Sequence, residues 1–178
     1  QTLASVATRT EQIRAEQGPV LGAAQLTPIQ HWFFDSDIPQ RHHWNQSVLL
    51  QPTEQLDPAR LEQALRQVLV QHDALRLRFT EHDAQWRAEH APLEQCAILW
   101  RAERASAELF ADAQRSLNLE RGPLLRGVLI SDGNAPQQLL LAIHHLVVDG
   151  VSWRILLDEL QAAYREQPLP AKTSAFRD

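Results

Sequence analysis

Two almost uninterrupted apolar runs, "LLRGVLI" at 124–130 and "QLLLAIHH" at 138–145, flank the segment "SDGNAP". Its Asp-Gly has hairpin chemistry, so the runs read as consecutive strands. A strand with one wet face alternates apolar with polar residues, whereas a run apolar at both parities is covered on both faces. The chain must therefore supply helices for the sheet these strands belong to.

It has them. In "LTPIQHWFF", Thr27 suits a helix N-cap and Pro28 the first helical position, where the missing N–H costs nothing. "LDPARLEQALRQVLVQHDAL" repeats that arrangement with Asp57 and Pro58, and Leu61, Leu65, Val68 and Leu69 form one stripe at helical spacing. "SAELFADAQRSLNL" has helical spacing up to Gly122-Pro123, and "VSWRILLDELQAAYRE" puts Trp153, Leu156, Leu157, Leu160 and Tyr164 on one side. Strands are expected in "HHWNQSVLLQP", "LRLRF" and "AQWRAEH", with a short one around 97–100. After the opening helix the order is β-α-β-β-(β)-α-β-β-α. That predicts an α/β sandwich, with helices packed on a mixed, largely antiparallel sheet.

Residues 1–25 are polar and rich in Ala and Gln, with weak apolar periodicity from Leu3 to Ile13, and read as a linker with at most one short helix. "EQPLPAKTSAFRD" is a connector that breaks off as a further helix begins, so the chain is expected to be a fragment.

Acidic residues outnumber Lys and Arg by 22 to 17, a net charge of −5, without the basic stripe of a nucleic-acid binder. No apolar run approaches bilayer length, and no secretory signal opens the chain. Cys96 is the single cysteine, which excludes internal disulfides and a cysteine metal cluster and fits a reducing cytoplasm.

The chemistry concentrates in "HHLVVDG", 144–150. Neighbouring side chains on a strand point to opposite faces, so His144 and His145 diverge: one ring enters the core, the other reaches a cleft. They do not readily chelate one metal, and no third ligand stands at a metal spacing, so no metal site is expected. Asp149 either caps the following helix or pairs with a buried arginine. Gly150 allows close approach, and the N–H groups of 150–153 face an anion or a developing oxyanion. A histidine beside such a helix start can act as a general acid/base. His42 and His43 read as surface or cleft-lining, and His72 as the end of a helix.

Several motifs together resemble the condensation superfamily of nonribosomal peptide synthetases, whose signature is His-His-x-x-x-Asp-Gly. "TPIQHWFF", "HHWNQSVLL", "HDALRLRF" and "HHLVVDGVSWRIL" are similar to its epimerization subtype, above all at Ile29-Gln30, Asn45-Gln46 and Val151-Ser152-Trp153. Gln71 departs from the arginine that condensation subtypes carry before the histidine matching His72. The resemblance implies the N-terminal lobe, 26–178, of a two-lobed chloramphenicol-acetyltransferase-like domain. Residues 1–25 would then descend from an upstream carrier domain, and the C-terminal lobe would be absent.

It further implies a carrier-domain partner, neighbouring synthetase domains, and no cofactor bound directly. The substrate would be an aminoacyl or peptidyl thioester on the carrier's 4′-phosphopantetheine, its α-carbon taken from L to an L/D mixture. In that scheme His145 exchanges the α-proton, His144 is the inward structural ring, and Asp149 holds the loop with Arg76 as partner, Arg78 and Arg154 being alternatives. Gly150, Ser152 and Trp153 support the motif, and the N–H groups near Gly150 assist the enolate. The opposite-face proton comes in the family from a glutamate of the second lobe. A condensation-type acyltransferase and a non-catalytic carrier-docking lobe are the competing expectations.

Overall fold

The structure is a computed structural model that describes residues 17–93, 97–133 and 135–173. The short helix considered within residues 3–13, Cys96 and the final residues 174–178 lie outside that range.

The two apolar runs become β6 (Leu125–Ile130) and β7 (Gln138–His144), the central strands of a four-stranded sheet. β7 pairs antiparallel with β6 on one side and with β2 (Asn45–Leu50) on the other. β5 (Leu99–Ala102) closes the far edge, parallel to β6 and joined to it through the crossover helix α3 (Ala107–Arg115). Both faces of the central pair are covered, as their composition requires. On one, Leu125, Leu129, Leu139, Leu141 and Ile143 pack against α2 (Pro58–Gln71) and α4 (Gly150–Tyr164). On the other, Val128, Ile130 and Leu140 meet Ala113 of α3, with Leu109 and Phe110 against them. A methyl group on Gly127 would stand 3.1 Å from Leu65, so the glycine lets α2 lie close.

A second sheet, which sequence reading merged with the first, has the order β1 (Gly22–Ala24), β4 (Gln85–His90), β3 (Leu77–His82). Helix α1 (Pro28–Asp35) lies on it through Phe33 and Phe34, which meet Leu77, Phe79 and Ala88, and Phe34 stacks on Trp86 at 4.1 Å. The helix starts where expected. Thr27 and Gln30 form a reciprocal capping box ahead of Pro28.

The stretch expected as linker to residue 25 is packed at its end: Val20 is buried, and β1 pairs with β4. Residues 17–20 lie against 170–172, where Gln17 exchanges hydrogen bonds with the Lys172 backbone. The Lys172 ammonium donates to the Gly18 carbonyl and to both oxygens of Asp73. Gln71, the departure from the condensation pattern, donates to the Pro170 carbonyl at 2.8 Å and so holds this segment down.

Candidate active site

β7 delivers His144 and His145 to opposite sides, as strand alternation demands. His144 is fully buried, edge-on to Phe33. Its Nε2 faces the Arg41 carbonyl at 2.8 Å, and its Nδ1 lies 3.2 Å from the Leu146 N–H. A carbonyl only accepts and an N–H only donates, so the ring is neutral with its hydrogen on Nε2. Burial, reinforced by the nearby His42 and His145, lowers its pKa to about 4, the Arg41 carbonyl opposing. His144 is thus the structural ring. It ties the end of β7 to the turn at Arg41–His43 and fixes Leu146 in the loop beyond.

This has a measurable consequence. Between pH 6.5 and about 4 the unfolded chain takes up a proton at residue 144 that the folded chain refuses. Stability is therefore whole above pH 6.5 and falls with pH by roughly 3 kcal/mol across that window. Urea unfolding at pH 7, 5.5 and 4.5 should show that slope, and His144→Asn should flatten it while lowering stability throughout.

His145 is exposed. Its backbone N–H donates to the Trp44 carbonyl. Its Nδ1 lies 2.9 Å from the Val148 carbonyl, so Nδ1 carries the hydrogen and Nε2 presents a lone pair. Gln46 of β2 places its side-chain nitrogen 3.1 Å from that Nε2, and its oxygen accepts from the Trp153 indole N–H at 2.8 Å. The loop around the ring is held at each step. Gln30 reaches from α1 to the Leu146 carbonyl, the Val147 N–H bonds to the His144 carbonyl, and Val148 is buried in the core.

Asp149 resolves into one of its two expected roles. It is the N-cap of α4, its Oδ1 accepting from the backbone N–H and the hydroxyl of Ser152, both at 2.7 Å. These bonds hold its pKa below the usual carboxylate value. The expected arginine pairing is corrected. Arg76 is buried against Asp73 and the carbonyls of Val20, Leu69 and Ala91, which together give its buried guanidinium an anion and several acceptors. Arg78 donates to the Leu77 carbonyl and lies where a side chain on Gly122 would be, while Arg154 is exposed on α4.

Two of the N–H groups expected to face a developing enolate are engaged within the cap itself, that of Ser152 by the Asp149 carboxylate and that of Trp153 by the Asp149 carbonyl. Asp149→Ala should cost about 1 kcal/mol, as loss of a helix cap does. Asn, itself a good cap, should restore most of it. Because the folded carboxyl is the stronger acid, the contribution is present above about pH 4 and lost as pH falls below, which denaturation of Asp149→Ala at pH 7 and pH 3 checks.

His145 opens onto the surface and is not walled in on all sides. A hollow of about 630 Å³ lies on the three-stranded sheet, lined by residues such as His31, His82, Trp86 and Arg87, and excludes it. Instead the ring stands among elements that each expose large apolar side chains: Ile29 and Trp32 on α1, Trp44 before β2, Val151 and Ile155 on α4. Val151 is 72% exposed. Such a concentration marks a surface that works against something else.

Two sheets with packed helices, and a buried and an exposed imidazole at the end of a central strand, define a fold of the chloramphenicol-acetyltransferase-like class. The chain belongs to the Condensation domain family, whose model matches residues 20–178. It is 44% identical over 98% of its length to a linear gramicidin synthase of Brevibacillus parabrevis, spanning 4% of that protein. It is 40% identical over 96% of its length to surfactin synthase subunit 2 of Bacillus subtilis (strain 168), of which it spans 5%.

Among solved structures it resembles the epimerization domain from the third module of tyrocidine synthetase B, at 38% identity and a TM-score of 0.83. That match covers 92% of this chain and 40% of the other. The starter condensation domain of rhizomide synthetase shares the fold at 22% identity and a TM-score of 0.66, over 86% of this chain and 40% of that one. The resemblance to nonribosomal peptide synthetases drawn from the motifs therefore holds.

Proposed function

We propose that this chain carries the proton-abstracting half of an epimerization domain. The substrate is an aminoacyl or peptidyl thioester held on the 4′-phosphopantetheine arm of a carrier domain, the partner this surface receives. His145 Nε2 takes the α-hydrogen. The C–H electron pair passes into the thioester carbonyl as an enolate, and reprotonation from the opposite face gives the inverted centre. By the family resemblance, the second proton comes from a glutamate of a second lobe.

One observation carries this reading: an exposed imidazole whose Nδ1–H is committed to the Val148 carbonyl, so that Nε2, contacted by the Gln46 side chain, is the basic atom. The likeness to an epimerization domain at 38% identity supports the subtype, whereas the condensation-domain likeness at 22% identity speaks to fold alone.

A condensation-type reading keeps one argument in its favour, the family model itself. In that reaction the same histidine assists an amine in attacking the thioester, with release of the carrier thiol. Product trapping separates the two. The complete domain, given carrier-loaded L-aminoacyl thioester without an acceptor amine, should return D and L residues on hydrolysis. Recovery of L alone, with amide formed once an acceptor carrier is added, would establish condensation instead.

A further inference from the structure

We propose that Gln46, oriented by Trp153, is a positioning residue that holds His145 in the Nδ1–H tautomer and cedes its Nε2 lone pair to the substrate's α-hydrogen. This rests on His145 being the base. The inference follows from which partners can only donate and which can only accept. An indole N–H is a donor and nothing else, so Trp153 at 2.8 Å compels Gln46 to turn its carbonyl oxygen toward α4. The Gln46 NH₂ then faces His145 Nε2 at 3.1 Å, which must accept. The Val148 carbonyl, 2.9 Å from Nδ1, must receive an N–H. The chain of bonds therefore runs in one direction, from Trp153 through Gln46 and His145 to Val148. Reversal at any link sets donor against donor or acceptor against acceptor.

Two properties result. An Nε2–H on this ring would point at the Gln46 NH₂, donor against donor. The in-plane lone pair that must aim at a C–H bond is also the one Gln46 occupies. Proton transfer therefore requires Gln46 to withdraw or turn over, and turning over costs Trp153 its acceptor. Among the described residues, the buried His144 of β7 and Asp149 at the head of α4 interact electrostatically with His145, and His42 in the turn at 41–43 does so with His144. Substitutions at 46 and 153 leave all of them in place.

The test has a spectroscopic arm and a kinetic arm. In the ¹⁵N-labelled chain, neutral His145 should show its hydrogen on Nδ1. Gln46→Ala and Trp153→Phe should shift it toward a mixture of tautomers. In the complete domain, Gln46→Glu puts an acceptor carboxylate against both Nε2 and the indole. It should move the acid limb of the α-proton exchange profile to higher pH by about one unit or more. Trp153→Phe should move it in the same direction by less.

A neutral wild-type ring protonated on Nε2 overturns the proposal, and so does a Gln46→Glu profile that superimposes on wild type. The wild-type spectrum decides even if a variant does not fold. If exchange survived His145→Ala, the proposed function would fail while an Nδ1–H spectrum still upheld the bond network, so the two failures are distinguishable.

Discussion

Replacing Asp73 with alanine lowers the unfolding free energy by about 3–5 kcal/mol, the usual effect of removing one partner from a buried ion pair. That is a large part of the roughly 5–15 kcal/mol that stabilises an ordinary domain. Asp73 sits in the short helical turn Asp73–Arg76 that follows α2, 9% exposed, between Arg76 and Lys172, whose side chains are 3% and 6% exposed. Its carboxylate is the anion for both cations and also accepts the Val20 N–H at 3.1 Å. Alanine leaves two buried positive charges with only carbonyl partners, a cost far above that of an exposed pair.

Lys172→Met removes one of the cations and leaves Asp73 balanced by Arg76, so its loss should be clearly smaller. Urea unfolding followed by tryptophan fluorescence compares the two. Equal losses would show that the charges do not act as a cluster. Because Lys172 and Val20 belong to the two segments that lie against each other here, Asp73→Ala should also expose residues 17–20 to early hydrogen exchange.

Local chemistry made much of the fold legible. Thr27-Pro28 and Asp57-Pro58 start helices as their capping chemistry requires, and the two apolar runs are the doubly covered central strands. What escaped is what depends on distant partners. β1 is three residues, glycine and two alanines, whose pairing with β4 uses backbone groups and no side-chain pattern. The split into two sheets rests on which strands meet, which hydrophobic period does not encode. β5, four residues long, gains its parallel partner only through the α3 crossover.

At the site, alternation correctly separated His144 from His145. The family motif points Asp149 toward an arginine, with Arg76 first among three alternatives, because it carries a conspicuous carboxylate. The carboxylate Arg76 meets, Asp73, stands three residues away in "HDALR", a spacing that could have suggested it. Gln46 carried only a family likeness in the sequence. Its contacts with His145 and Trp153 span about a hundred residues and become visible only in three dimensions.

The central claim is that the exposed ring of the pair moves a proton on carbon. His145→Ala should leave the fold intact, because its side chain fills no core position and its loop is held by His144, Gln30 and Val148. Loss of a positioned general base costs typically about 10²–10⁴-fold in rate. His144→Ala, in contrast, should fail through stability, with exchange falling only as the folded fraction falls.

The direct measurement is deuterium wash-in at the α-carbon of the carrier-bound residue, in the complete domain and in D₂O. With wild type, label accumulates with time. With folded His145→Ala, wash-in should drop at least about a hundredfold. A folded His145→Ala domain that still exchanges the α-hydrogen within a few-fold of wild type would contradict the assignment of this imidazole as the base.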